Sequence, residues 1–320
     1  MSFATALVTG ASGFIGRALT ARLGETGRRV IAAGREGSAL PEADLSLRLA
    51  FPDPEAVRQA LARERVEIVF HCAAYGVNLA DRDPAAMHAA NVAAVGAWVE
   101  AAAALGARAF VHLGSCAEYG VVSDERPIGE DRPLLATDLY GTSKAEGGLR
   151  SAETAARLRI PFVWVRPFGV FGPGEAAHRL LPYLHARLRT GARVDLTPGR
   201  QMRDYLYIDD AVAGLIAAGD AALKGQGGPY NLCSGRAVTI RAVAEEAACA
   251  MQVPLDRLAF GARDYRPGEP MWMVGDPARL AAASGFRAAI GVEDGIARMM
   301  LALDRRVARP ADARRRGAQA

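Results

Sequence analysis

Short apolar runs alternate with longer stretches of helical periodicity through the first half of the chain. Strands are expected over residues 4–9, 29–33, 45–49, 68–72, 109–113 and 162–166, which are rich in Ala, Val, Ile, Leu and Phe. Between them, residues 14–25, 54–63, 84–105 and 140–159 carry the three-to-four-residue apolar spacing of helices that pack on one face. Strands this uniformly apolar are covered on both faces, which in a β/α alternation means a doubly wound parallel sheet wrapped by helices. After Pro167 the alternation loosens, and Gly- and Pro-rich turns appear at 172–174, 198–199 and 267–270. A second, smaller domain is expected there, built over the carboxyl edge of the sheet, where ligands of open α/β folds bind. The predicted division is 1–166 and 167–304, the two interleaved, with a basic, disordered tail over 305–320.

Composition supports two domains, since 320 residues with 51% hydrophobic side chains can bury a sizeable core. The net charge of +4 is unevenly spread. The last sixteen residues hold six of the 39 Lys+Arg and one of the 35 Asp+Glu, leaving 33 bases against 34 acids in the body. The sequence pI of 9.0 is therefore a property of the tail, and no nucleic-acid partner is predicted. Such a tail is either a solvated chain end or a contact for phosphate or anionic lipid. Cys72, Cys116, Cys233 and Cys249 form no CxxC pair and the five His no HExxH, so no metal site is expected and the thiols are expected to be buried. Met1-Ser2-Phe3 runs straight into the first strand, and the most apolar stretch is broken by Glu100 and Arg108. Neither a signal peptide nor a membrane span is predicted, and the expected location is cytoplasmic. Only two bases are lysine, Lys144 and Lys224, against 37 arginines. A lysine that persists in so arginine-rich a chain is a candidate for a role arginine cannot fill.

Two motifs carry candidate chemistry. Gly10-Ala-Ser-Gly13-Phe-Ile-Gly16 places a glycine-rich turn between the first strand and the first helix. Gly10 permits a tight turn, Gly13 lets backbone approach a pyrophosphate, and Gly16 lets helix pack on strand. Phosphates would sit on the free N–H groups at the helix start, with Gly10, Ser12, Gly13, Phe14, Ile15 and Gly16 as contacts. The second strand ends in Gly34-Arg35 with no acid to meet adenosine ribose hydroxyls. Arg35 is placed to pair with a 2′-phosphate, or is a plain surface arginine. Tyr140-Gly-Thr-Ser-Lys144 then sets a phenol and an ammonium one helical turn apart. The ammonium and a cationic nicotinamide are both expected to pull the phenol's pKa down toward neutrality, and the lysine also to reach ribose hydroxyls. The alternative is a surface pair.

With these motifs the chain resembles the extended short-chain dehydrogenase/reductase family, in its nucleotide-sugar epimerase/dehydratase/reductase branch, over residues 4–300. The resemblance also rests on His71-Cys-Ala-Ala74, Asn91, Gly114-Ser115-Cys-Ala-Glu-Tyr119-Gly120, Arg166-Pro-Phe-Gly-Val-Phe-Gly-Pro173, Arg203-Asp204-Tyr205, Asn231-Leu-Cys-Ser-Gly235 and Arg266-Pro-Gly-Glu269. It implies a Rossmann-type fold and a hydride-transfer enzyme with Ser115, Tyr140 and Lys144 as its triad. It implies further cofactor contacts at Ala73, Ala74 and Pro167, and substrate contacts at Ser115, Cys116, Gly169, Arg203, Tyr205 and Arg266. Read singly, Ser115 is equally a turn cap, and the two arginines are salt-bridge partners of Asp204 or Glu269.

The departures narrow the reaction. Dehydratases of the family follow the catalytic Ser/Thr with an acidic pair, and here those positions are Cys116 and Ala117, so dehydration is not expected. Gly169 stands where many relatives carry an Asn toward the diphosphate. Ala50-Phe51 replaces an adenine-facing Asp, which is missing or displaced to Asp44 or Asp53. The expected activity is NADP(H)-dependent reduction of a nucleotide-linked 4-keto hexose, often 6-deoxy. The alternative is an NAD(H)-dependent 4-epimerase, ahead of a carbonyl reductase for non-nucleotide substrates and a non-catalytic NADP sensor. A homodimer through helices near 88–105 and 140–158 is also implied.

Overall fold

The computed structural model describes residues 2–78 and 81–317, with side chains described up to Arg306. β1 (Thr5–Thr9) leads through α1 (Phe14–Glu25) to β2 (Arg29–Gly34) and β3 (Leu45–Arg48), and α2 (Pro54–Ala60) returns the chain to β4 (Ile68–His71). α3 (Pro84–His88) and α4 (Ala94–Ala104) are joined by a π-helical turn, Ala89–Ala93, ahead of β5 (Ala109–Leu113). α5 (Leu139–Leu158) and β6 (Phe162–Pro167) complete the alternation. Every strand and helix expected in the first half is present. The largest difference is α2, which closes at Ala60 and leaves residues 61–63 as a turn.

The second half contributes β7 (Gly169–Phe171), α6 (Leu180–Leu188), β8 (Val194–Leu196), β9 (Met202–Tyr207), α7 (Ile208–Leu223) and β10 (Gly228–Leu232). β11 (Ala237–Thr239), α8 (Ile240–Ala250), β12 (Leu258–Phe260), β13 (Trp272–Met273), α9 (Ala278–Ser284) and α10 (Val292–Gly317) follow.

Seven strands form one sheet in the order β10-β6-β5-β4-β1-β2-β3, and every pairing in it is parallel. The chain winds outward from β1 to β3, then outward again from β4 to β10, so the order reverses between β1 and β4. Loops at that reversal splay apart at the carboxyl ends and leave a crevice. Alternation of side chains feeds two cores. Ala6, Val8, Ile68, Phe70 and Val111 face α1 and α7 through Leu19, Leu23, Val212 and Leu215, while Leu7, Val69 and Phe110 face Val57, Trp98, Val99 and Ala155. β10 belongs to the second half, yet it pairs with β6 in register Asn231↔Arg166. The halves are thus interleaved by strand exchange into one sheet.

Around β9 a smaller sheet forms, with β7 and β13 parallel to it and β11 antiparallel. β8 and β12 make a separate pair. Along β9, Asp204 and Leu206 are buried, whereas Arg203 and Tyr205 are only half-buried. The strand's period of two therefore sends those two side chains to the same, more open face.

The chain end departs from expectation. α10 continues beyond residue 304 to Gly317, because Ala and Arg, which dominate this stretch, are strong helix formers. The side chains of 307–317, and residues 318–320 altogether, lie outside the described residues. No helix among the described residues is long and apolar enough to cross a membrane. All four cysteines are free; Cys233 is buried as expected, but Cys249 is exposed on α8.

Candidate active site

At the crevice, β1 turns into α1 within van der Waals reach of the segment after β4. Gly10 has φ +64°, and a Cβ there would lie 2.5 Å from the Ala73 nitrogen, so only glycine fits both the conformation and the space. A Cβ on Gly16 would lie 2.3 Å from the Gly10 oxygen, which fixes the helix against its own turn. α1 starts at Phe14 with Gly13 as its N-cap and no side chain capping it. Its first N–H groups and the positive end of its dipole are the ordinary fit for a phosphate. Gly10, Ser12, Gly13, Phe14, Ile15 and Gly16 thus form a cradle that fits a dinucleotide pyrophosphate. Ala73, next to Gly10, and Ala74 follow β4, while Pro167 ends β6 at the same carboxyl edge of the sheet, three strands from β1.

Arg35 is exposed just past the tip of β2, and its side chain has no partner among the described residues. Sequence reading missed Arg17, whose guanidinium donates to the Ser12 carbonyl at 3.3 Å and the Ala39 carbonyl at 2.9 Å, clasping the loop after β2 to the glycine turn. Both candidates for the displaced adenine acid have structural partners. Asp44 accepts from the Val30 N–H at 2.7 Å, near the amino end of β2, and Asp53 caps α2.

The three catalytic candidates converge. Ser115 follows β5 and caps a short turn of 3₁₀-helix, its hydroxyl accepting from the Ala117 N–H at 3.1 Å. The start of α5 packs onto that turn, where a Cβ on Gly141 would lie 2.5 Å from the Ala117 carbonyl oxygen, and this brings the Tyr140 phenol within electrostatic reach of the Ser115 hydroxyl. The capping reading of Ser115 is thus realised, and the same side chain stands next to the other two candidates. α5 begins immediately before Tyr140 because Asp138 caps it, accepting from the Gly141 N–H at 2.7 Å. One turn on, Lys144 is only 1% exposed, which removes the surface-pair reading, and its Nζ donates to the Leu113 carbonyl at 2.7 Å. Burial lowers the ammonium's pKa to about 8.

The expected depression of the phenol is not seen in the protein alone. Burial pushes Tyr140 above its ordinary value and the neighbouring Ser115 hydroxyl is the largest opposing influence; Lys144 is drawn into the strand end rather than onto the phenol. Arg82, which the sequence reading did not single out, stands over the Tyr140 ring at 5.8 Å from its centroid and pairs with Asp138 at 2.7 Å. Asn91, on the π-helical turn, holds both backbone groups of Tyr75 and donates to the Ser143 hydroxyl at 2.9 Å, locking the loop after β4 to α5.

The substrate candidates divide. Arg203 and Arg266 do come together, on one carboxylate: Glu269 accepts from Arg203 at 2.7 Å and from Arg266 at 2.9 Å. Asp204 takes neither; it is buried and accepts instead from the backbone of Ser234, Gly235 and Gly275. Tyr205 is half-buried and its phenol is pushed up to about 12 by burial, as is the Cys116 thiol. Arg179, absent from the sequence reading, bears electrostatically on Cys116, Tyr140 and Tyr205 at once, and pairs with Glu175 at 3.1 Å. Gly169 cannot present a side chain in this packing, because its Cβ would meet the Asp204 carbonyl at 2.7 Å where β7 lies against β9. Only its backbone is available to a ligand.

A parallel sheet with an order reversal, an uncapped helix after a glycine turn, and a half-buried Ser–Tyr pair with a buried Lys at the sheet's carboxyl edge define a dinucleotide-dependent enzyme of the Rossmann type. The chain belongs to the NAD dependent epimerase/dehydratase family, whose model matches residues 6–233. It is 31% identical over 278 residues to a dTDP-6-deoxy-L-talose 4-dehydrogenase (NAD(P)(+)) of Kitasatospora kifunensis, covering 83% of this chain and 85% of that one. It is 29% identical over 326 residues to a UDP-glucose 4-epimerase of Bacillus subtilis, covering 90% and 93%. Among solved structures it resembles the Thermus thermophilus UDP-glucose 4-epimerase complex with NAD, with a TM-score of 0.82, 25% identity and coverage of 94% and 99%.

Proposed function

We propose that this protein reduces the 4-keto group of a nucleotide-linked hexose, often 6-deoxy, with NADPH. The observation that carries the reading is the packing of the α5 start, with Tyr140 and the buried Lys144, onto the strand end and turn that carry Ser115. Two hydroxyls placed side by side can both meet one carbonyl oxygen, Ser115 orienting it and Tyr140 giving it a proton. A bound nicotinamide supplies the reducing equivalent. Lys144 offers a compact donor to ribose hydroxyls. Arg203 and Arg266, exchanging Glu269 for phosphate oxygens, hold the nucleotide diphosphate. Cys116, neutral at physiological pH, and Ala117 supply no base for removing water, which argues against dehydration.

The protein works in the cytoplasm, as a homodimer through α4 and α5, where Leu149 is exposed. Residues 1–166 chiefly hold cofactor, and 167–304 chiefly hold substrate. The activity named for the Kitasatospora relative supports a 4-keto/4-hydroxyl chemistry, and the Bacillus relative keeps 4-epimerisation as the second reading. Arg35 favours reduction: an unpaired cation with no acid at the tip of β2 suits the 2′-phosphate of an exchanging NADPH.

The test is to denature fresh protein, identify the nicotinamide released, and assay a panel of nucleotide-linked 4-keto hexoses with NADPH and NADH. Little bound cofactor, NADPH-driven reduction and loss of the preference in Arg35→Ala are expected. Stoichiometric NAD, required for interconversion of 4-epimers, would give the function to the epimerase.

A further inference from the structure

Glu118 is fully buried, three residues after Ser115, and no step of the reaction above uses it. Its Oε1 accepts from the Ser115 N–H at 2.7 Å and the Trp164 Nε1–H at 3.3 Å, and its Oε2 accepts from the Arg166 Nε–H at 2.8 Å. All three partners are donors, so a proton on the carboxyl would have nothing to bond, and the ionised form fits the site. Burial pushes its pKa up, and the charges of Arg166 and Lys144 hold it down.

The same strand end is gripped by a second buried charge. Lys144 bonds the Leu113 carbonyl, and a Cβ on Gly114 would lie 2.4 Å from Glu118 Oε1. Leu113, Gly114 and Ser115 are thus fixed, residue by residue, between an ammonium and a carboxylate. The other titratable groups bearing on Lys144 are neutral at physiological pH. His71 on β4 and His112 on β5 are held below their usual pKa by burial, and the Cys72 thiol is pushed up to about 12. Glu118 itself also faces Arg166 on β6, Tyr119 on its own turn and the Tyr140 phenol on α5. Of the groups bearing on Lys144, it is the one anion.

We propose that Glu118 is a positioning residue, whose carboxylate both sets the Ser115 backbone and keeps the buried Lys144 protonated. A merely structural Glu118 would satisfy Arg166 and Trp164 without governing Lys144. The effect on turnover rests on the proposed reaction, whereas the state of Lys144 is measurable without it.

Glu118→Gln keeps the shape and an acceptor oxygen but removes the charge. Because the chain holds only Lys144 and Lys224, carbon-13 labelling of lysine in the full-length protein yields two side-chain resonances, assigned with Lys224→Arg. The Lys144 titration midpoint is expected to fall by about one pH unit or more in Glu118→Gln, the scale of a lost opposite charge nearby. The alkaline limb of kcat/KM should move down with it. An unshifted Lys144 overturns the electrostatic half. Glu118→Asp covers the case in which the glutamine variant does not fold: the charge remains, so Lys144 should titrate as in the parent. The shortened carboxylate releases Ser115, and kcat should drop about tenfold, as for one lost hydrogen bond of roughly 1.4 kcal/mol. A Lys144 midpoint in Glu118→Asp as low as that of an uncompensated buried lysine, or a parental kcat, overturns the corresponding half. If no nucleotide-linked ketose is turned over, the reaction reading fails and the lysine titration still decides this one.

Discussion

Tyr140 shows how much one side chain owes to its surroundings. Its hydroxyl is pushed to the neutral form by burial, which suits a proton donor waiting for a carbonyl oxygen. Tyr140→Phe should therefore lower kcat by about a hundredfold or more, the usual worth of a positioned acid, while NADPH binding by fluorescence is unchanged. Near-parental turnover would remove Tyr140 from the reaction. Arg203 makes a different kind of test, because Glu269 already neutralises it. Arg203→Ala should raise KM for a nucleotide-linked substrate about tenfold or more, the scale of a lost charge-assisted contact, and leave KM for NADPH alone. An equal loss toward a simple ketone without a nucleotide would reduce Arg203 to a structural ion pair. At this scale the spacing of Tyr140 and Lys144 was legible, since a helix of 3.6 residues per turn puts them on one face. The turn of Lys144 into the Leu113 carbonyl was not, because the side chain's direction depends on where β5 ends.

Among the elements, β9 joins the site to the frame. Its outward residues, Arg203 and Tyr205, are the proposed substrate contacts, while Asp204 points inward and gathers the backbone of the loop after β10 and of Gly275. Removing that carboxylate takes the acceptor from three backbone N–H groups, buried at Gly275 and part-buried at Ser234 and Gly235. Asp204→Ala should cost about 3 kcal/mol or more and lower Tm in calorimetry by several degrees, with activity at low temperature falling only as the folded fraction does. A parental Tm would mean that water or repacking satisfies those groups. The sequence offered Asp204 only as a salt-bridge partner of Arg203 or Arg266 and gave no strand there, because its actual partners lie about thirty and seventy residues away. α5 was legible to within a residue, since Asp138 is a helix-capping side chain and its role is local.

For the whole molecule, the pH dependence of stability follows from the buried histidines between β4 and β5. His71 is held down at about 3 and His112 also well below its usual value, both by burial. As pH falls below about 6.5, the unfolded chain takes up protons that the folded one refuses. Each histidine then removes about 1.4 kcal/mol per pH unit until its folded pKa is reached. Buried carboxyls such as Asp204, raised in the fold, act in the opposite sense, so the comparison of interest is between variants. His112 stacks on His71 and Phe162, and both its ring nitrogens lack a partner. In His112→Phe, Tm should therefore decline less steeply from pH 6.5 to 4.5 than in the parent. Parallel slopes across that range would sink the argument.

What the sequence determined by itself is what short-range physics can write: the alternation of strands and helices, the glycine turn at α1, the helix opening at Tyr140 and the family they imply. Each depends on residues within a turn or a strand's length of one another. Tertiary structure decided the rest. It carried β10 across to β6, paired Arg203 and Arg266 on Glu269, brought Arg82 and Arg179 toward Tyr140, closed Gly169 to any side chain, and set Glu118 against both Ser115 and Lys144. The physical reason is that the energy of a charge or a buried polar group is fixed by whatever folding brings within a few ångströms of it, and most of those neighbours are remote in the chain.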